Sequence, residues 1–296
     1  MSLLAPHFRE LQSRFQGGSK AGTVPTGVPG VQFFWASESV PRAPLLYSAG
    51  IVIIGQGHKI GHVGDRKFRY DEATYLVVGV PIPFECETHA TREAPLLGIR
   101  IDIDVAALHG LVASLGATLH LETGPALPYG LEPAKMSEEM LEATIRLLGC
   151  MRDPMDSKVL GSAAVNEIIY RVLRSDQGRV LFSLTQHHTP YAAIARALDR
   201  IHGDYGEALS VEQLAEENAM SVSSFHRAFK RVTGDSPIQY LKKIRLEKAK
   251  GLLVHQGMRV NAVAYEVGYE SPSHFSREFK RYYKVPPSEA QALAYT

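Results

Sequence analysis

Phe225-His226-Arg227-Ala228-Phe229-Lys230-Arg231 and Phe275-Ser276-Arg277-Glu278-Phe279-Lys280-Arg281 repeat one pattern fifty residues apart, and each is followed six residues on by a proline, Pro237 or Pro287. Two aromatics four apart share one face of a helix. Arg, Lys and Arg are interleaved on the face left to solvent. A helix that is apolar on one side and basic on the other, presented twice, predicts an all-α unit that offers cations to a regularly charged partner. Duplex DNA is the commonest such partner. The spacing favours burial of the four phenylalanines in two small cores over a role as base-stacking platforms.

The flanks repeat as well. Ser210 is placed to cap a helix with the apolar stripe Val211, Leu214 and Ala215, and after a break at Asn218-Ala219-Met220, Ser221 caps the next. The second copy has Val260, Val263 and Ala264, a turn at Gly268 suited to positive φ, and Ser271 as cap. Helix, short turn and basic second helix is the helix-turn-helix plan, expected at about 210–232 and 259–282. Between the copies, Ser236-Pro237 opens a helix with Ile238, Leu241 and Ile244 at helical spacing. Lys242, Lys243, Arg245, Lys248 and Lys250 are expected mostly on its solvent side. Running to about Val254, it spans roughly 27 Å at 1.5 Å per residue. Successive major-groove faces lie about 34 Å apart, so such a rod suits two recognition helices on neighbouring turns of one duplex.

Residues from about Thr189 to Ala290 resemble the DNA-binding domain of AraC/XylS-type transcription regulators. The resemblance rests on Leu214-Ala215, Ser221, Phe225, Arg227, Phe229-Lys230, Thr233-Gly234, Pro237, Tyr240, Arg245, Ala249, Leu252-Leu253, Ala264, Val267-Gly268-Tyr269, Ser273, Phe275, Arg277, Phe279-Lys280 and Pro286-Pro287. It implies a regulator that binds double-stranded promoter DNA with both units, with RNA polymerase as a further partner open to it. It also places the base-reading positions in the first turns of each second helix: Ser223, Ser224, His226 and Arg227, then Ser273, His274, Ser276 and Arg277. Either arginine can donate two bonds to guanine. Lys230, Arg231, Lys280 and Arg281 sit a turn later and are expected on phosphates, which position without specifying sequence. Pro272 stands where many members carry a polar reader, which lowers direct readout by the second unit.

A formal net charge of +1 argues at first against a polyanionic partner, but residues 225–250 hold eight basic and two acidic residues, so the cations are concentrated where the repeats need them. Two cysteines, Cys86 and Cys150, suit a reducing cytoplasm. No charged-then-apolar leader opens the chain and no apolar run reaches 18 residues, so neither secretion nor membrane insertion is expected.

The first half reads differently. Residues 1–30, with Gly17, Gly18, Gly22, Pro25, Gly27, Pro29 and Gly30, predict a helix fragment followed by a flexible approach. From about Phe33 to Asp104 strands dominate: Leu97, Ile99, Ile101 and Ile103 alternate with Gly98, Arg100, Asp102 and Asp104, and Phe84, Cys86 and Thr88 with Glu85, Glu87 and His89. Short strands punctuated by glycine and proline predict a small sandwich or barrel. Helices follow from the cap Asp104 to Leu115, over 137–149 and over 157–174, with Gln177 to Pro190 as a connection. The fold class expected is α+β. Domain 1–180 is a β-body with trailing helices, and domain 189–296 is all-α. Through Ile51-Val-Ile-Ile-Gly-Gln-Gly-His-Lys59, Tyr75-Leu-Val-Val-Gly-Val-Pro-Ile-Pro-Phe84 and Ile101-Asp-Ile-Asp104, the first domain resembles the cupin-like N-terminal domain of one AraC subgroup, which implies a jelly-roll-like barrel that binds a small-molecule effector, and helices used for a homodimer. Leu141, Ile145, Ile169 and Leu173 leave apolar area for such a contact. By this analogy the interior candidates are Trp35, Tyr47, Ile53, Tyr75, Val77, Phe84 and Ile101.

Rival readings are a cupin metalloenzyme fused to a DNA-binding module, a ligand-independent regulator and a DNA-repair methyl acceptor. His58, His62 and His89 lack the His-x-His spacing and following glutamate of metal-binding cupins, so neither metal nor cofactor is expected, nor an enzyme. A methyl acceptor needs a cysteine-rich zinc site, which two distant cysteines do not supply.

Overall fold

A computed structural model of the chain describes residues 3–15, 19–116, 127–186 and 188–293. It opens on helix α1 (Ala5–Phe15), with Phe8 and Leu11 buried. The expected flexible approach contains an edge strand, β1 (Ala21–Pro25), because it pairs with the apolar β2 (Val31–Ala36). Gly17 and Gly18 lie outside the described residues. Then come β3 (Val40–Tyr47), β4 (Gly50–Gln56), β5 (His58–Val63), β6 (Arg66–Tyr70), β7 (Thr74–Val78), β8 (Ile82–His89) and β9 (Leu96–Asp102). Helix α2 (Val105–Leu115) starts at Asp104, whose carboxylate accepts from the amides of Ala106 and Ala107. Strand β10 (Leu131–Lys135) precedes α3 (Glu138–Cys150), capped by Ser137. Helix α4 (Pro154–Leu173) begins three residues earlier than the pattern predicts, because Asp153 caps it and Pro154 takes its first position.

All strand pairings are antiparallel, in a six-stranded sheet of order β1-β2-β9-β4-β7-β10 and a four-stranded sheet of order β3-β8-β5-β6. Among the described residues the sheets share no strand, so the body is an open jelly-roll-like sandwich and not a closed barrel. The larger sheet is covered on both sides. Phe33, Ile51, Ile53, Tyr75, Val77, Leu97, Ile99 and Ile101 pack with α1, α3 and α4, while Val52, Ile54, Leu76, Val78 and Leu96 join Tyr47, Phe84 and Cys86 of the smaller sheet. Helix α1 lies directly on β4, where a β-carbon on Gly55 would fall 1.9 Å from the Phe8 ring.

The expected connection is partly helical, with α5 (Gly178–Phe182) and a 3-10 turn at Ser183–Thr185. Helix α6 (Pro190–Gly203), capped by Thr189, sends Tyr191, Ile194, Ala197 and Leu198 into the core of the smaller sheet. Helices α7 (Val211–Glu217) and α8 (Val222–Thr233) form the first helix-turn-helix unit. Helices α10 (Val260–Glu266) and α11 (Pro272–Tyr283) form the second. Between them runs α9 (Pro237–His255), capped by Ser236. Its 19 residues span about 28 Å. Phe225, Phe229, Tyr240 and Ile244 share one apolar cluster with the β-body, whereas Phe275, Phe279 and Tyr283 belong to a separate one with Leu246, Ala249 and Val263. The first reading unit is thus packed on the β-body, and the second is carried mainly by α9.

Candidate nucleic-acid interface and ligand cavity

Ser221 accepts from the amide of Ser224, and Ser271 from that of His274, so each second helix starts where its cap residue predicts. This leaves Ser223 and Arg227 exposed on α8, with Ser224 and His226 half-buried, and Ser273, His274 and Arg277 exposed on α11, with Ser276 half-buried. Arg227 donates to the Ser224 hydroxyl at 3.3 Å, which steadies its guanidinium over the first turn. The His274 ring meets Tyr269 edge-on at 5.6 Å. Both turns pass through a left-handed residue, which costs nothing at glycine and strains alanine. Gly268 has φ +81°, and Ala219, at the matching place in the first unit, has φ +53°. At Gly268 a β-carbon would also fall 2.5 Å from the carbonyl oxygen of Gly206.

The four expected phosphate cations are not alike. Lys230 and Lys280 are exposed. Arg281 is tied to Glu278 at 2.7 Å. Arg231 is half-buried on the β-body, where its Nε donates to the Leu127 carbonyl at 3.0 Å and its Nη1 to the Tyr129 hydroxyl. Its guanidinium lies 3.6 Å from the Tyr129 ring centroid and that of Arg66 lies 3.5 Å from it, so they must occupy opposite faces of the ring. Arg66 also pairs with Glu132 at 2.8 Å. Around this clasp the amide of Gly130 donates to the Val232 carbonyl at 2.8 Å, and the Tyr240 hydroxyl donates to the Pro81 carbonyl at 2.7 Å. Behind Tyr240 stands His202, 2.8 Å away; burial, helped by the charge of Lys248, lowers its pKa to about 4.

Two linker cations also depart from the solvent side expected of them. Lys243 pairs with Asp235 at 2.7 Å. Arg245 donates to the carbonyls of Tyr205, Gly268 and Glu207 at 2.7, 2.9 and 2.8 Å, fastening the second unit's turn to the segment after α6. Burial lowers its pKa. No sequence signal separates Arg245 from its solvated neighbours except its place in the family motif.

Between the two sheets is a cavity of about 590 Å³, walled by Phe34, Trp35, Val40, Leu45, Tyr47, Lys59, Cys86 and Leu96 among others. Of the interior candidates, Tyr47 lines it and Trp35 borders it, its ring stacked on Phe33 at 5.8 Å in the cluster that faces the helices. Phe84 supports Tyr47 from behind at 5.4 Å between ring centroids. Ile53, Tyr75, Val77 and Ile101 face the helices instead. Strand alternation puts residues on two faces, and with both faces of β4, β7 and β9 buried it cannot show which one turns to the other sheet. Lys59, which is not among the interior candidates, projects into the cavity. His255, at the end of α9, stands at its rim.

Among the described residues no group of three or more His, Cys, Asp or Glu is placed to hold a metal. His62 and His89 share Glu87 at 2.7 and 3.3 Å, and His58 stacks on His89 at 4.5 Å. Both cysteines are buried free thiols, and burial pushes the pKa of each up. No described helix is long and apolar enough to cross a membrane.

The AraC-type transcriptional regulator N-terminus family model matches residues 27–180, and a helix-turn-helix domain model matches residues 214–292. The chain belongs to the AraC-type transcriptional regulators. It is 36% identical over 140 residues to an uncharacterized HTH-type transcriptional regulator of Haemophilus influenzae, covering 45% of each chain. It is 29% identical over 156 residues to the HTH-type transcriptional activator RhaS of Salmonella schwarzengrund, covering 52% of this chain and 55% of that one. The chain thus spans about half the length of the curated relatives it matches. Its fold is similar to that of ToxT from Vibrio cholerae. One ToxT structure aligns with TM-score 0.59 at 12% identity over 89% of this chain and 97% of that one. Another, with an unsaturated fatty acid bound, aligns with TM-score 0.57 at 12% identity over 88% and 94%.

Proposed function

We propose that this chain is a sequence-specific DNA-binding transcriptional regulator of promoters, not an enzyme, controlled by a small molecule in the cavity between its sheets. The observation that carries the reading is the pair of capped, basic helices held at the two ends of a helix about 28 Å long. Arg227 and Arg277 read bases with Ser223, Ser224, His226, Ser273, His274 and Ser276 beside them, and Lys230 and Lys280 hold phosphates. The fatty acid in the ToxT structure supports a small organic effector in this fold.

The docked arrangement supplies the control. Arg227 and Arg231 are four apart, on one side of α8. With Arg231 clasped by Tyr129, the β-body borders the reading face and keeps one cation from DNA. A ligand with different affinity for docked and released forms shifts their balance. We place the homodimer contact on the first half of α4, where Met155, Val159 and Leu160 are 67%, 65% and 50% exposed. Ile169 and Leu173 are buried in the chain's own core, and Leu141 and Ile145 are half-buried against it. The likeness to RhaS favours activation.

Footprinting of the full chain on its promoter is the test: protection should extend over two adjacent major-groove turns. Arg227→Ala should cost roughly 1–3 kcal/mol of binding and relax preference at one base pair. Lys230→Ala should weaken all sequences alike and reduce the salt slope by about one. Protection of a single turn, or of none, overturns the reading.

A further inference from the structure

The cavity holds a cation without an anion. Among the described residues its wall contains Lys59 and Arg100 but no aspartate or glutamate. Arg100 is already neutralised by Asp102 at 3.0 Å and bonded to Ser48 and Gln32 at 2.7 and 3.3 Å. Lys59 has no such partner. Its ammonium donates to the Tyr47 hydroxyl at 3.1 Å and lies 5.3 Å from the ring centroid of Phe34 and 5.7 Å from that of Tyr47. Among the described residues, no carboxylate comes within 4.0 Å of it. Burial alone pulls the ammonium toward neutrality, and Tyr47 and Cys86 more than offset this, so its pKa stands above the ordinary lysine value. An ammonium has three donors, and among the described residues one acceptor meets it, the Tyr47 hydroxyl.

We propose that the cavity's ligand is a small amphipathic monoanion, a carboxylic acid with an apolar body, whose carboxylate completes Lys59. The identification rests on reading this cavity as the effector site. The rest of the wall narrows the class. A cation meets two positive charges and no acid. A polyanion finds one unpaired cation. A sugar needs a ring of polar partners; the wall offers Thr23, Thr88 and Gln32, and Gln32 is already engaged by Arg100. An apolar body fits the space beside Phe34, Trp35, Leu45 and Leu96, and about 590 Å³ lies within the range of cavities that enclose small organic ligands. The rim residue His255 belongs to α9, so an occupant of the cavity lies against the helix that carries the second reading unit.

Trp35 is the chain's single tryptophan and borders the cavity, so its fluorescence reports occupancy in the full chain. Octanoate and 4-phenylbutyrate should quench it saturably. Their amides should bind at least about tenfold more weakly, a difference of about 1.4 kcal/mol, and the matching amines more weakly still. Lys59→Met should bring each acid down to the affinity of its amide. Retained amide binding shows that the variant folds, and Lys59→Arg should preserve the preference for acids. If Lys59→Met does not fold, Lys59→Gln takes its place. Amides or amines binding as tightly as acids, an acid preference that survives Lys59→Met, or no saturable quenching by either acid would each overturn the assignment. Footprinting with and without octanoate separates the two readings. Acid binding that leaves protection unchanged sinks the effector role and leaves the anion site standing. Protection without any preference for acids does the reverse.

Discussion

Replacing Tyr129 tests whether the β-body holds the first reading unit. In the docked form its ring gives Arg231 a cationic face at 3.6 Å and its hydroxyl accepts from the same guanidinium. A cation over an aromatic ring contributes about 0.5–1 kcal/mol where water has access. A hydrogen bond to a charged group contributes roughly 1.5–3 kcal/mol, taken here at the low end because Arg231 is half-buried. Tyr129→Leu therefore removes about 2 kcal/mol of docking, or roughly 30-fold in the equilibrium between docked and released forms. The bond from Arg231 to the Leu127 carbonyl and the shared apolar cluster remain. Tyr129→Phe keeps the ring and loses only the hydroxyl, so its effect should be about tenfold. The readout is amide exchange at Gly130, whose N–H donates across the interface to Val232. Exchange there should quicken in the order wild type, Phe variant, Leu variant. Exchange at β4 amides, deep in the sandwich, should not change. The Leu variant should also bind DNA more tightly than wild type, because Arg231 becomes free. Gly130 exchange unchanged in Tyr129→Leu would refute the clasp.

Three further outcomes follow from named contacts. Arg245→Ala removes three charge-assisted bonds and should lower stability by about 3 kcal/mol in denaturant unfolding; the loss of alignment between units should confine footprint protection to one turn. Ala219→Gly relieves a left-handed alanine at the price of extra chain entropy, and should raise stability by about 0.5 kcal/mol, read from the unfolding midpoint. His202 has its pKa lowered by burial to about 4, so the folded chain resists a proton that the unfolded chain takes up near 6.5. Stability is complete above pH 6.5 and falls as pH drops toward 4, by about 3 kcal/mol over that window; His202→Gln should lose this component of the slope, measured as the difference between the two proteins' unfolding free energies at pH 7 and pH 4.5.

The sequence by itself determined the second half almost completely. Local chemistry sets it: Ser210, Ser221, Ser236 and Ser271 each cap the helix their position predicts. Phenylalanines at helical spacing go inward, and the repeat fixes the unit as double. The sequence also determined that the first half is made of short strands, since alternation in β8 and β9 is a property of consecutive residues. Tertiary structure alone decided which sheet face borders the cavity, so Ile53, Tyr75, Val77 and Ile101 went to the helices while Lys59 entered the interior. It decided, too, that Arg231, Arg245 and Lys230 differ in role although they look alike in the chain. A cation's task depends on which carbonyl, ring or phosphate comes within about 3–4 Å, and those partners lie tens to a hundred residues away, where no local pattern carries their position.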